Sequence, residues 1–202
     1  MVSDAPPEAL KRFIWDIQSM VELAESDREI LLIGRDLMGR LLACDNWLPP
    51  AFAAADPARA RQFQLYADAM ERFTIVSTVL APGQTSAIAA EPFWQILGVW
   101  RGALSRRRFA IDAEGALLAD GREQNLATGA LLAAPARDAA QLVNLDAERA
   151  AIAIQVFGGD IGRRPRQNWT PDGEARNSPT LYDNAEDAPP YDIWTIQTRI
   201  ED

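Results

Sequence analysis

From about residue 62 onward the chain is broken into short apolar segments with turns between them at fairly even spacing, and few folds accept that texture. Residues 62–66, 73–80, 94–100, 103–111, 141–144 and 150–157 each have strand length. Pro82-Gly83, Glu114-Gly115, Asp120-Gly121 and Gly158-Gly159 supply the turn chemistry that separates them. Many short strands spaced this way predict a mainly β sandwich or small barrel. Upstream the period changes. Leu10, Phe13, Ile14, Ile17, Met20 and Val21 recur at helical spacing after Pro6-Pro7. Ser26-Asp-Arg-Glu29 is a capping-box pattern that opens a second helix, with Ile30, Ile33, Leu37, Leu41 and Leu42 inward. The two helices, within residues 8–44, are expected to pack outside the barrel.

Residues 163–190 are polar and rich in Pro, Asn, Asp and Gly, and read as irregular. The expected organisation is one domain over 1–202: a helical segment 1–61, a barrel 62–162 and an irregular C-terminal segment 163–202. The formal net charge of -9 argues against a nucleic-acid partner, because a phosphate backbone would be repelled. Arg106-Arg107-Arg108 and Arg163-Arg164 are short basic clusters of the kind that usually lie on a solvated surface. The N-terminal residues MVSDAPPEALKRF do not read as a signal peptide, and no apolar run reaches membrane-spanning length. A cytoplasmic location, with no membrane partner, is the expectation. A single cysteine, Cys44, rules out an internal disulfide and is expected as a small buried residue at a helix end.

Histidine is absent altogether. Ser-His-Asp hydrolysis, Cys-His catalysis and HExxH zinc sites are therefore closed to this chain on its own. Gly158-Gly159-Asp160-Ile161-Gly162 is not a phosphate loop, since no GK[ST] follows it. Trp94 and Trp100 read as core.

Two blocks carry a resemblance. ERFTIVSTVLAPGQTSAIAAEPFWQILGVWRGAL (71–104) and AAIAIQVFGGDIG (150–162) resemble the bacterial cysteine dioxygenase and 3-mercaptopropionate dioxygenase group, thiol dioxygenases of the cupin type. The family pattern has a PGQ turn, a Pro-hydrophobic-His-Asp-His strand, a strand ending in RG, and a SIHVYGGNIG-like segment. The resemblance implies a cupin double-stranded β-helix, a jelly-roll-like barrel with N-terminal α-helices. It also implies one Fe(II) on three imidazoles. The corresponding positions here are Ala89, Glu91 and, in Asp138-Ala139-Ala140-Gln141, Ala140. A methyl, a carboxylate and a methyl cannot hold Fe(II) against water and cellular chelators, so no metal and no cofactor is expected. The family's Ser-x-His-x-Tyr relay falls on Ala153, Gln155 and Phe157, none of which can do its acid-base work.

The family binds the substrate carboxylate with a Gln before the first barrel strands and an Arg after the GGNIG turn. Gln62 matches the former and Arg166 the latter, with Arg163 or Arg164 as alternatives because Pro165 disturbs the pattern. Gln62, Glu91, Gln155 and Arg166 are thus the candidate ligand-binding residues, and no residue is expected to be catalytic. The leading expectation is a non-catalytic cupin that binds a small carboxylate or thiol, or acts as a partner or regulatory protein, as a homo-oligomer or with an active homologue. One alternative is an enzyme with relocated chemistry, in which Glu91 and neighbouring carboxylates bind a hard cation or Glu91 acts as a base. Another is a structural module whose cavity is filled by Ile88, Phe93 and Phe157.

Overall fold

The computed structural model describes residues 5–137, 139–170 and 173–197. Asp138, first residue of the segment read as holding the third family position, lies outside them. Helix α1 (Glu8–Leu23) begins directly after Pro7, whose fixed φ suits a helix entry. The hydroxyl of Ser26 accepts from the Glu29 amide and starts α2 (Asp27–Leu42), while Glu29 Oε2 accepts from the Glu25 amide. The buried stripe of α2 is Ile30, Gly34, Leu37, Met38 and Leu41. Ile33, expected inward, is 40% exposed. Gly34 takes its place because the helix lies so close to the sheet that a Cβ there would stand 2.2 Å from Ile96 Cδ1.

Eleven strands follow among the described residues: β1 (Arg61–Ala67), β2 (Thr74–Leu80), β3 (Ile88–Ala90), β4 (Gln95–Arg101), β5 (Ala103–Ile111), β6 (Leu117–Ala127), β7 (Leu131–Ala134), β8 (Ala139–Asn144), β9 (Ala151–Phe157), β10 (Arg166–Trp169) and β11 (Ala175–Ser178). They form two antiparallel sheets, in the orders β1-β2-β9-β4-β7 and β11-β10-β3-β8-β5-β6. From β2 to β10 the chain keeps passing from one sheet to the other: β2, β4, β7 and β9 in the first, and β3, β5–β6, β8 and β10 in the second. That alternation is the winding of a double-stranded β-helix, the cupin fold.

The expectation of a mainly β barrel behind two helices therefore holds. The polar segment read as irregular differs in part, since it supplies β10 and β11. Asp120-Gly121, read as a turn, falls within β6. There the β5–β6 register slips between Arg107 and Phe109, and Gly121 takes φ 72°, so the turn signal marks a bulge.

Among the described residues, three apolar clusters stand around the barrel. The helices cover the outer face of the first sheet through Phe13, Ile17, Met38, Phe63, Ile75, Ile96 and Ile154, with Trp94 and Trp100 in the same core as expected. Leu80, Leu97, Val99, Leu104, Leu126 and Ala153 fill the base of the interior. Val76, Phe157 and Ile161, with Phe93 and Tyr182 against them, form a third plug. Between base and plug the inward positions turn polar. Among the described residues no helix is long and apolar enough to cross a membrane.

Candidate functional site

The polar positions enclose a cavity of about 190 Å³ between the two sheets. Gln62, Thr78, Gln95, Leu97 and Gln155 line it from the first sheet, and Ala87, Ala89, Glu91, Arg106, Ala140, Leu142 and Arg166 from the second. Strand pleating explains the set, since alternate residues share a face. Ala87, Ala89 and Glu91 recur every second residue, as do Ala140 and Leu142. Ala89 sits directly opposite Ala140 in the β3–β8 register, and Arg106 opposite Leu142 in the β5–β8 register.

Arg166 joins three of the four candidate binding residues. Its Nη1 donates to Glu91 Oε1 at 2.5 Å and its Nη2 to Gln62 Oε1 at 3.0 Å. Both members of the ion pair are nearly shut off from solvent, with side-chain exposures of 9% and 10%. Gln62 Nε2 then donates to Thr78 Oγ1 at 3.2 Å, and the Thr78 hydroxyl donates to Gln155 Oε1 at 2.5 Å. A single polar relay therefore runs from Glu91 through Arg166, Gln62 and Thr78 to Gln155. Glu91 Oε2 and Arg166 Nε are buried without a hydrogen-bond partner. Burial pushes the Glu91 carboxyl above its ordinary range, and the Arg166 charge and hydrogen bond only partly oppose this.

The alternatives for the arginine separate cleanly. Arg163 is exposed and donates to Glu71 Oε1 at 2.8 Å, and Arg164 is exposed with its guanidinium 5.9 Å from the Phe93 ring centroid. Only Arg166 turns inward. Ala153 and Phe157, at the lost relay positions, lie in the apolar base and plug and do not line the cavity. Phe93 is in the plug as well, and Ile88 does not line the cavity, so the interior is not filled as the structural-module alternative requires.

Two expectations need correction. Arg106 is not solvated surface: it is 4% exposed and lines the cavity. The signal was present, because the period-2 pattern of β5 places it on the face of buried Leu104. Cys44 is exposed, its thiol 3.5 Å from the Arg40 carbonyl, because α2 has ended at Leu42 and the chain turns outward there. Gln95 and Thr78 carried no sequence signal, since nothing local separates an inward polar residue from an inward apolar one. Gln95 is 7% exposed and lines the cavity.

The residues present do not fit the Fe(II) that the resemblance implies. Two of the ligand positions are methyl groups, and the third is a carboxylate already bonded to a guanidinium, whose positive charge disfavours a cation beside it. Among the described residues, no group of three or more His, Cys, Asp or Glu side chains could hold a metal ion. Among the described residues, the hard-cation alternative around Glu91 has no group of three carboxylates to draw on. Of the Glu91 carboxylate, Oε1 is engaged by Arg166 and Oε2 is buried without a partner.

No family model matches this sequence. Solved structures similar to it include a protein of Thermus thermophilus, 19% identical over 55% of this chain and 92% of that one, with TM-score 0.44. An oxalate oxidase in complex with the substrate analogue glycolate is 18% identical over 52% of this chain and 53% of its own length, with TM-score 0.42. A cupin superfamily protein of Desulfitobacterium hafniense is 14% identical over 58% of this chain and 94% of that one, with TM-score 0.42. The alternating strand order, and not these likenesses, identifies the fold.

Proposed function

We propose that this chain is a non-catalytic cupin of thiol-dioxygenase descent that binds a small polar molecule in the cytoplasm, as a binding or regulatory protein, without metal or cofactor. The Glu91–Arg166 ion pair carries the reading. It puts an internal carboxylate on the guanidinium that would otherwise meet a substrate carboxylate, at a position where a metal ligand would otherwise stand. Both catalytic ingredients are thereby replaced by one internal ion pair, while the barrel around it keeps a cavity. Gln155 and Phe157 replace the acid-base relay with an amide and a hydrocarbon ring.

The test is the metal content of protein produced with excess iron, followed by oxygen consumption in the presence of cysteine or 3-mercaptopropionate. Iron far below one atom per chain and no thiol-dependent oxygen uptake are expected. One iron per chain together with oxidation of either thiol would contradict the reading.

A further inference from the structure

Among the described residues, every charged side chain in the cavity lining is engaged within the protein. Arg166 is held by Glu91, the more exposed Arg59 by Asp183, and Arg106 has a partner of its own. The groups left to meet a ligand along the first sheet are neutral. Gln62, Thr78, Gln155 and Gln95 line the cavity from β1, β2, β9 and β4, which are consecutive in that sheet, so an uncharged polar band crosses it from strand to strand. Each amide carries two N–H donors and a carbonyl acceptor, and the hydroxyl does both, so the band can donate and accept alike. Facing it on the second sheet, Ala89 and Ala140 leave room where larger side chains would close the space.

Glu91 decides which head group can enter. Its Oε1 is taken by Arg166 and its Oε2 is buried without a partner, so toward the cavity this carboxylate acts through its charge. A carboxylate drawn to Arg166 would shed its hydration and then meet a like charge already seated on the same guanidinium. An amide gives up less on leaving water and finds both donors and acceptors across the sheet. Resting on the metal-free reading of the cavity given above, we propose that the ligand is a small uncharged amide and that Glu91 is the residue that bars carboxylates from Arg166. At about 190 Å³ the cavity equals about six waters at ~30 Å³ each, which admits a molecule of about five heavy atoms.

Propionamide and propionate have nearly the same shape and differ in charge, so calorimetric titration of the full chain with each, at pH 8, tests the assignment. Native protein should bind propionamide saturably and at least about tenfold more tightly than propionate. Glu91→Gln keeps the shape, removes the charge and leaves an acceptor for Arg166. It should strengthen propionate binding about tenfold or more and reverse the preference, because the guanidinium is then free to pair with the ligand. Should that variant not fold, Glu91→Ala carries the same expectation, and the comparison on native protein needs no variant. Native protein that prefers propionate or does not distinguish the two, no saturation by propionamide in the millimolar range, or an unchanged preference in a folded Glu91 variant would each overturn the proposal. Any of these in iron-free protein defeats the ligand assignment alone. Iron-loaded protein that oxidises thiols defeats the function on which it rests.

Discussion

Glu91 and Arg166 are each expensive to bury and tolerable only together. Removing one strands the other, so Arg166→Met should cost about 3–5 kcal/mol, whereas the double variant Arg166→Met with Glu91→Leu should be nearly neutral or stabilising. Urea unfolding of the two singles and the double measures the coupling, and additive losses would show the contact to be weak. A second prediction concerns pH. A carboxyl raised by burial binds its proton more tightly folded than unfolded, so it favours the fold at low pH and loses that contribution as pH rises from its unfolded value through its folded one. Native protein should therefore lose stability relative to Glu91→Gln as pH rises above about 4.5, and a flat difference curve would contradict this. These residues were legible because they lie inside motifs: Glu91 two positions after Ala89, Gln155 within AIAIQVF, Arg166 shortly after GGDIG. Arg106 was hidden by its neighbours, since Arg106-Arg107-Arg108 reads as a charged run until the strand's alternation separates inward from outward.

At the scale of elements, two of the sequence motifs hold each other. A Cβ on Gly158 would stand 2.3 Å from Trp94 Nε1, and one on Gly159 would stand 2.5 Å from Phe93 Cζ, so the Gly-Gly turn after β9 is packed under the Phe93-Trp94 pair that precedes β4. The PFW and GGDIG blocks are thus two sides of one contact. The tight β4–β5 connection depends on Gly102 in the same way. It takes φ 79°, and a Cβ there would come within 2.9 Å of the Ala151 backbone. Gly102→Ala should destabilise by about 2–4 kcal/mol, read as a lowered urea midpoint with unchanged slope; native-like stability would mean the turn can rearrange. The central strands β2, β4 and β9 were legible as continuous apolar runs, because both of their faces are covered. Strands β10 and β11 were not. They are polar strands at one end of the second sheet, with β11 exposed along its length, and leave little hydrophobic pattern to read.

Across the whole molecule, the barrel keeps a cupin's winding while its interior, beside the Ala89–Ala140 pair of β3 and β8, holds a buried ion pair. Ala89 and Ala140 face each other across β3 and β8, as cross-strand partners whose Cβ atoms lie about 5 Å apart, and Glu91 follows on the same face. A mainly β sandwich or small barrel behind two helices could be read from segment lengths and turn residues, and the cupin form of it only from the resemblance of residues 71–104 and 150–162. The ion pair could not, because it joins residues 75 positions apart that meet only when β10 is laid beside β3. The most direct test of the proposed loss of a metal centre is the Fe(II) affinity of the variant combining Ala89→His, Glu91→His and Ala140→His, measured by anaerobic competition titration. A sharp rise over the native chain is predicted for the triple variant and only a slight one for any single substitution, because three imidazoles would converge from strands that already fix their directions. A folded triple variant that binds Fe(II) no better than the native chain would contradict it.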